Sequence, residues 1–335
     1  MTLPRGLDYE LPPERIAQHP ASPRDAARVL VLERATHALE ECRFHDIPGR
    51  LGANDLLIVN DTRVVPAKLR GHKQTGGRAE VLLLERRADA PDHWRALVRC
   101  RGRLREGARF RFGGLQAEVR ELIDGGACVL GFESPGDDAA EQVLAQIGEA
   151  PLPPYIERPA PELADLEDYQ SVFARVPGAV AAPTASLHFT RELAALLPIA
   201  TVTLHVGPGT FRPLRTDRLE DHALEPESFE VPEQTACEIR ATRERGGRVI
   251  AVGTTVVRVL ETTGGSAGRG KTDLFVVPGH RFRVVDSLIT NFHLPRSTLL
   301  ALVLAFGGDA VPLAYRHAIA AGFRFYSYGD AMWIV

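Results

Sequence analysis

At 335 residues, with 44% hydrophobic and 25% charged residues, the chain has the composition of an ordinary soluble globular protein and length for about two domains. A net charge of −3 excludes a uniformly basic nucleic-acid binder, and four scattered cysteines without a CxxC spacing argue against a zinc knuckle or a dithiol redox motif. The opening MTLPRGLDYELPPERIAQHP lacks the apolar core of a secretory signal, and LLALVLAF is far short of the ~20 residues of a membrane span, so a cytoplasmic protein without a membrane partner is expected.

In chain order, residues 1–25 read as a Pro-rich arm with one helical turn after Pro12-Pro13. ARVLVLER is a strand. DLLIVNDTRVVPAKLRG is a buried strand, a polar break at Asn60-Asp61-Thr62-Arg63 and a second extended piece, in which Asp61 beside Arg63 suggests a carboxylate-held anion grip. The texture changes at Pro66. KLRGHK, AEVLLLERR, HWRALVRCR, ARFRF, LQAEVREL and ACVLGF read as short strands between Gly-rich turns, the pattern of a small inserted antiparallel barrel. Residues 66–112 hold 13 Lys and Arg against 5 Asp and Glu, a local charge of +8, which leaves −11 for the rest. Arg99, Arg101, Arg103, Arg105, Arg109 and Arg111 fall on odd positions. In an extended chain these share a face, which suggests a phosphate-binding surface.

SPGDDAAEQVLAQIG reads as an acidic helix and PLPPYIERP as a stiff connector back to the first region. The segment Gly178–Arg215 then runs loop, helix, strand, loop: Thr184 and His188 lie in the first loop, Thr190 caps RELAALL, and TVTLHV ends at Gly207-Pro208-Gly209-Thr210. TDRLEDHALEPESFEVPEQT, with His222 and Glu227, reads as an acidic loop, and CEIRATRERGG as a helix stopped by glycine. RVIAVGTTVVRVLE is a buried strand, Gly253-Thr254-Thr255, and a helix carrying Arg258, an arrangement suited to an anion or carboxylate; it is neither a Walker motif nor GxGxxG. DLFVVPGHRFRVVDSLITNF reads as a strand pair, followed by the Asn291-Phe292-His293 loop and an apolar helix capped by Ser297. YRHAIAAGF is the last helix, and RFYSYGDAMWIV a strand interrupted at Tyr328-Gly329-Asp330. No catalytic triad motif and no paired metal-ligand spacing is present, so no metal is expected. These residues alone describe an α/β enzyme with polar loops at strand ends and a basic β-domain.

As a set, NDTRVVPAKLRGHKQTGG, PLPPYIER, YQSVFARVPGAVAAPTASLHFT, VTLHVGPGTFRP, AVGTTVVRVLE, TNFHLPRSTLL and FRFYSYGDAMWI resemble, in the same order, the S-adenosylmethionine:tRNA ribosyltransferase-isomerases of queuosine biosynthesis. The resemblance covers nearly the whole chain. It implies a large α/β barrel-like catalytic domain (1–65 and 155–335) with an inserted small antiparallel β-barrel (66–154) that binds tRNA. It implies S-adenosylmethionine as ribosyl donor rather than a bound cofactor, tRNA with a deazaguanine precursor as acceptor, and a monomer. Two departures stand out: Ser186 replaces the glycine of AAPTAGLHF, and Leu224 and Glu225 replace Met and His of an HxMHxE loop in which His222 and Glu227 match. Proton abstraction beside a sulfonium and expulsion of adenine need acid and base groups, for which His188, His205, His222, His293 and Asp330 are the candidates. Asp61, Arg63, Thr184, Gly207, Gly209, Thr210, Glu227, Thr254, Thr255, Arg258, Asn291, Ser297 and Tyr328 are the candidate substrate-binding residues. A diverged paralogue acting on another RNA, a non-catalytic tRNA-binding module and a methyltransferase are the alternatives.

Overall fold

In a computed structural model the described residues are 4, 6–87, 89–123, 126–133, 145–207, 209, 219 and 222–335. The chain opens with β1 (Arg28–Leu32), β2 (Leu39–Arg43), β3 (Leu56–Asn60) and β4 (Thr62–Val64). Six strands follow without a helix between them: β5 (Lys68–Lys73), β6 (Arg78–Arg86), β7 (His93–Cys100), β8 (Arg109–Phe112), β9 (Leu115–Ile123) and β10 (Ala127–Glu133). The remainder comprises β11 (Val176–Ala179), β12 (Ile199–Leu204), β13 (Glu227–Val231), α1 (Glu233–Glu244), β14 (Val249–Val252), α2 (Thr254–Thr263), β15 (Gly268–Thr272), β16 (Ser287–Asn291), α3 (Thr298–Gly307), α4 (Val311–Ala320) and β17 (Ala331–Ile334).

One nine-stranded mixed sheet, in the order β15-β13-β12-β3-β14-β16-β17-β1-β2, carries the large α/β region, and β10-β7-β6-β5-β8-β9 close as an antiparallel barrel. The central strands β12, β3, β14 and β16 run parallel. Both faces of a parallel sheet must be covered, and their apolar runs LLIV and VIAV supply the residues. Alternation along each strand sorts them. Leu56, Ile58, Val249, Ala251 and Leu288 join the core under α1–α4, while Leu57, Val59, Ile250, Val252 and Ile289 join Phe44, Phe189 and Trp333 on the other face. In the barrel, Leu69, Val81, Ala96, Phe110 and Val119 fill the interior.

All six predicted barrel strands form, as do the caps at Thr190 and Ser297: Thr190 Oγ1 accepts from Leu193 N–H at 3.1 Å and Ser297 Oγ from Leu300 N–H at 3.2 Å. The helix after Thr190 spans only Arg191–Ala194, because Pro198 and the start of β12 follow within one turn. Strands β11, β13 and β15 were not legible. β13 lies in the stretch read as an acidic loop, and β15 has the sequence GRGKT; the two pair at the sheet edge. The segment after β15, read as a strand pair, supplies β16 alone. Of the acidic helix expected over 134–148, residues 134–144 lie outside the described residues and 145–147 are helical. Residues Thr298–Ala320 form a 23-residue helical run, longer than the apolar stretch alone suggested and apolar enough to cross a membrane by length and composition. It is interrupted by a 3-10 turn at Gly308–Ala310, and 67% of its apolar window is buried inside the protein, as in core helices.

Candidate active site

The four parallel strands end in polar residues along one edge of the sheet. β3 ends at Asn60-Asp61-Thr62, β12 at His205, β14 at Gly253-Thr254-Thr255 and β16 at Asn291-Phe292-His293. β17 runs antiparallel to β16, so Tyr328 to Asp330 arrive at the same edge. In open α/β sheets ligands bind in the crevice beyond the carboxyl ends of the strands.

The break after β3 is built by side chains. Asn60 donates to Leu204 O at 2.9 Å and accepts from Leu204 N–H at 3.0 Å and Thr62 N–H at 3.1 Å, so its amide replaces ladder bonds that the bending backbone gives up. Thr62 is thereby aimed at His205, with Oγ1 2.8 Å from Nδ1. The β11 backbone lies flat on the same ring: a Cβ added to Gly178, whose φ is +146°, would stand 2.8 Å from Cε1 and Nδ1. His205 is half-buried, and its Nε2 makes no hydrogen bond among the described residues. Burial lowers its pKa, while the nearby Asp61 carboxylate opposes the shift, so the ring is neutral at pH 7.

Asp61 and Arg63 do not form the expected grip. Asp61 is buried, accepting from Thr203 Oγ1 at 2.6 Å and from Arg175 at 2.6 Å, whereas Arg63 points outward because alternate residues of β4 face opposite sides. Arg258 is likewise not free for a substrate carboxylate. It ion-pairs with Glu227 and donates to Leu274 O at 3.0 Å and Thr272 O at 3.1 Å. The other Glu227 oxygen accepts from Gly207 N–H at 2.7 Å. The pair therefore anchors the loop after β12 instead of presenting charge.

His205, Gly207, Gly209, Glu227, Thr254, Thr255 and Arg258 line a cavity of about 370 Å³, and Trp94 and Arg95 of the barrel line it from the other side. Arg95 donates to Glu225 at 2.8 Å, linking the barrel to the loop where the family pattern departs. His222 stands one layer back, its ring 5.5 Å from Phe275, which lines the cavity; burial lowers its pKa.

The other predicted residues fall elsewhere along the edge. His188 is buried against Phe44 and accepts from Asn291 Nδ2 at 3.2 Å; burial, with smaller repulsion from Arg324 and Arg24, lowers its pKa to about 3. His293 is also buried with a pKa of about 3, and Thr290 Oγ1 lies 3.0 Å from its Nε2. These two rings stay neutral and, unlike His205, do not line the cavity. Asp330 accepts from Arg28 N–H at 3.0 Å and Arg324 N–H at 2.8 Å, which ties the start of β17 to β1. Ser297 is used as a helix cap. Thr184 opens the 3-10 turn Thr184–His188, and Ala185 of that turn lies 3.6 Å from where a Gly253 Cβ would be. Tyr328 Oη, Asn291 Oδ1 and Ser186 Oγ are buried without a hydrogen-bond partner among the described residues. Thr210 lies outside the described residues.

All six predicted arginines of the barrel region are exposed, but they do not share one strand face. Arg101, Arg103 and Arg105 lie between β7 and β8, and those strands are separated by β6 and β5. Arg109 is held by Glu118 at 3.0 Å. Cross-strand register builds a different basic face. Arg70, Glu80 and Arg99 are opposite one another on β5, β6 and β7, and Arg111, His72 and Arg78 on β8, β5 and β6. These six line one open groove on the outside of the barrel. Asn60, Thr62, Arg175, Thr203 and Trp94 were not singled out from sequence; the NDTR break was the one signal for the first two.

A family model described as queuosine biosynthesis protein matches residues 5–334. The chain is 52% identical over 339 residues to the S-adenosylmethionine:tRNA ribosyltransferase-isomerase of Citrifermentans bemidjiense, with 98% of each chain covered. It is 49% identical to the protein of the same name from Moorella thermoacetica, again with 98% of each covered. The crystal structure of S-adenosylmethionine tRNA ribosyltransferase from Thermotoga maritima is similar with a TM-score of 0.54 and 36% identity, covering 98% of this chain and 100% of that one. Over nearly its full length, then, the chain belongs to the queuosine biosynthesis protein family.

Proposed function

We propose that the chain transfers the ribosyl part of S-adenosylmethionine to the 7-aminomethyl group of a 7-deazaguanine at the tRNA wobble position. It then isomerises that group to an epoxycyclopentane, giving epoxyqueuosine, with adenine and methionine as leaving products. The observation that carries this reading, in a chain of this family, is the cleft in which polar strand ends converge on His205. A positive sulfur acidifies the protons on its neighbouring carbons. A neutral His205 whose Nδ1 is held by Thr62 offers Nε2 as the base that takes one of them, leaving the electron pair of the broken C–H bond on carbon. The Gly207 and Gly209 loop allows close backbone approach, and Thr254-Thr255 open the ten-residue helix α2, a place for the methionine carboxylate. Incubation with the donor and precursor-bearing tRNA should release adenine and methionine in equal amounts. Release of S-adenosylhomocysteine instead would make the protein a methyltransferase, and no turnover a binding module.

The reading assigns catalysis to 1–65 with 155–335 and tRNA contact to the barrel region 66–154, in one monomeric chain working in the cytoplasm. The groove of Arg70, Arg78, Arg99 and Arg111 fits a phosphate backbone better than the six alternating arginines do, because register gathers it on one surface. Replacing Arg70, Arg99 and Arg111 together by Ala should weaken tRNA binding on the order of 10-fold or more. The log–log salt slope should fall by about 2, since each phosphate that a cation neutralises contributes about 0.7–0.9 to it. Donor affinity should stay the same. A slope equal to that of the wild type in a salt titration would remove this surface from the interface.

A further inference from the structure

The chain has two tryptophans, and they are used differently. Trp333 is buried in the sheet core, and its indole N–H donates to Ser287 Oγ at 2.7 Å. Trp94 is half-buried on β7, and its indole N–H makes no hydrogen bond among the described residues. Its register partner on β10 is Leu130, an interior residue of the barrel, so Trp94 sits at the barrel's rim with part of its ring on the barrel core and part lining the cavity. A tryptophan at such a place has an apolar ring in contact with open space and a donor to spare.

β7 also joins two features that are otherwise far apart. Trp94 lines the cavity that contains His205 beside Arg95, which is on the outer face of β7, while Arg99, five residues on from Trp94 and on the same outer face as Arg95, belongs to the basic groove. At about 3.3 Å per residue these lie roughly 17 Å apart along one strand, a span that a few nucleotides of single strand cover. A backbone held on the groove thus has a displaced base within reach of the cavity. Enzymes that act on a base take it out of the stack and hold it against aromatic or apolar side chains.

Resting on the tRNA reading above, we infer that Trp94 is the stacking platform for the acceptor nucleobase, so that the inserted barrel supplies one wall of the reaction cleft as well as backbone contacts. Trp94 is a positioning residue: it takes no part in proton transfer.

The test compares Trp94→Leu, which keeps an apolar plug at the rim without a flat ring, with Trp94→Phe, which keeps a ring. Base–aromatic stacking of about 1–3 kcal/mol predicts that Trp94→Leu raises KM for precursor-bearing tRNA by about 5- to 150-fold. Trp94→Phe should recover most of this, and donor affinity, measured calorimetrically without RNA, should match the wild type in both. An unchanged KM in Trp94→Leu, or a donor affinity that falls as far as the tRNA KM rises, would overturn the inference. If wild-type protein released no adenine with precursor-bearing tRNA, the reaction reading itself would fail, an outcome distinct from either.

Discussion

His205→Ala is expected to lower kcat by about 10²–10⁴-fold while donor binding is nearly intact, the size of effect associated with losing a positioned acid or base. Three features set this histidine apart from the others at the strand ends. It lines the cavity, its Nδ1 is tied to Thr62 Oγ1, and its remaining nitrogen makes no hydrogen bond among the described residues. His188 and His293 are buried with pKa values of about 3 and face partners within the protein. The direction of the pH dependence follows. Burial lowers the His205 pKa from the ordinary histidine value of 6.5, so the free base predominates at neutral pH. A base must be unprotonated, so kcat/KM should be flat from neutral pH upward and fall on the acid side below that pKa. Thr62→Val should reduce kcat with little change in donor affinity, since it releases the ring without altering the cavity wall. Near-normal turnover of His205→Ala would move the proton-transfer role to His222, the other histidine beside the cavity.

Glu227→Ala is expected to destabilise the protein by about 3–5 kcal/mol, because removing one member of a buried ion pair leaves the other charge uncompensated. Glu227 is 8% exposed and Arg258 5%. The substitution would also orphan the Gly207 N–H, which donates to Glu227 at 2.7 Å. Glu227→Gln should remain destabilised: its single amide oxygen can accept from Arg258 or from the Gly207 N–H, but the NH2 then faces the other donor, and the guanidinium charge stays uncompensated. The double variant Glu227→Met with Arg258→Leu should recover part of the loss, since an apolar pair leaves no unpaired charge, while the Gly207 N–H, Leu274 O and Thr272 O still lose their partners. Urea denaturation of the three variants checks this. Equal stability of Glu227→Ala and wild type would mean that the pair does not anchor the loop.

Much of the fold was legible in the sequence where pattern and burial agree. Barrel strands such as β6, β8 and β9 alternate buried and more exposed residues between glycine turns, so period and punctuation point the same way. β13 and β15 were missed for a physical reason: β13 is mostly polar, and the exposed edge strand GRGKT owes its extended form to its neighbour rather than to its own residues. Polar strand ends were visible as breaks in apolar runs, which is why His205, Gly207, Thr254 and Asn291 could be named. What each polar group does was not visible. Nothing in the order of residues announces that Arg258 pairs with Glu227 or that Asp330 accepts from the Arg28 and Arg324 amides. The Asp61 partner, Arg175, lies 114 residues away, so chain proximity to Arg63 misled. The barrel's basic face escaped for a similar reason, since alternation along one run carries no information about which strands become neighbours.

The proposal that this chain moves a ribosyl group is tested most directly by following the carbon atoms of the donor. S-adenosylmethionine labelled in its ribose carbons is incubated with tRNA bearing the 7-aminomethyl-7-deazaguanine precursor, and the anticodon nucleoside is recovered and weighed by mass spectrometry. The ribose label should enter the nucleoside, with adenine released in equal amount, and a methyl-labelled donor should leave it unlabelled. Label arriving from the methyl group, or no ribose label in a tRNA that is demonstrably bound, would contradict it.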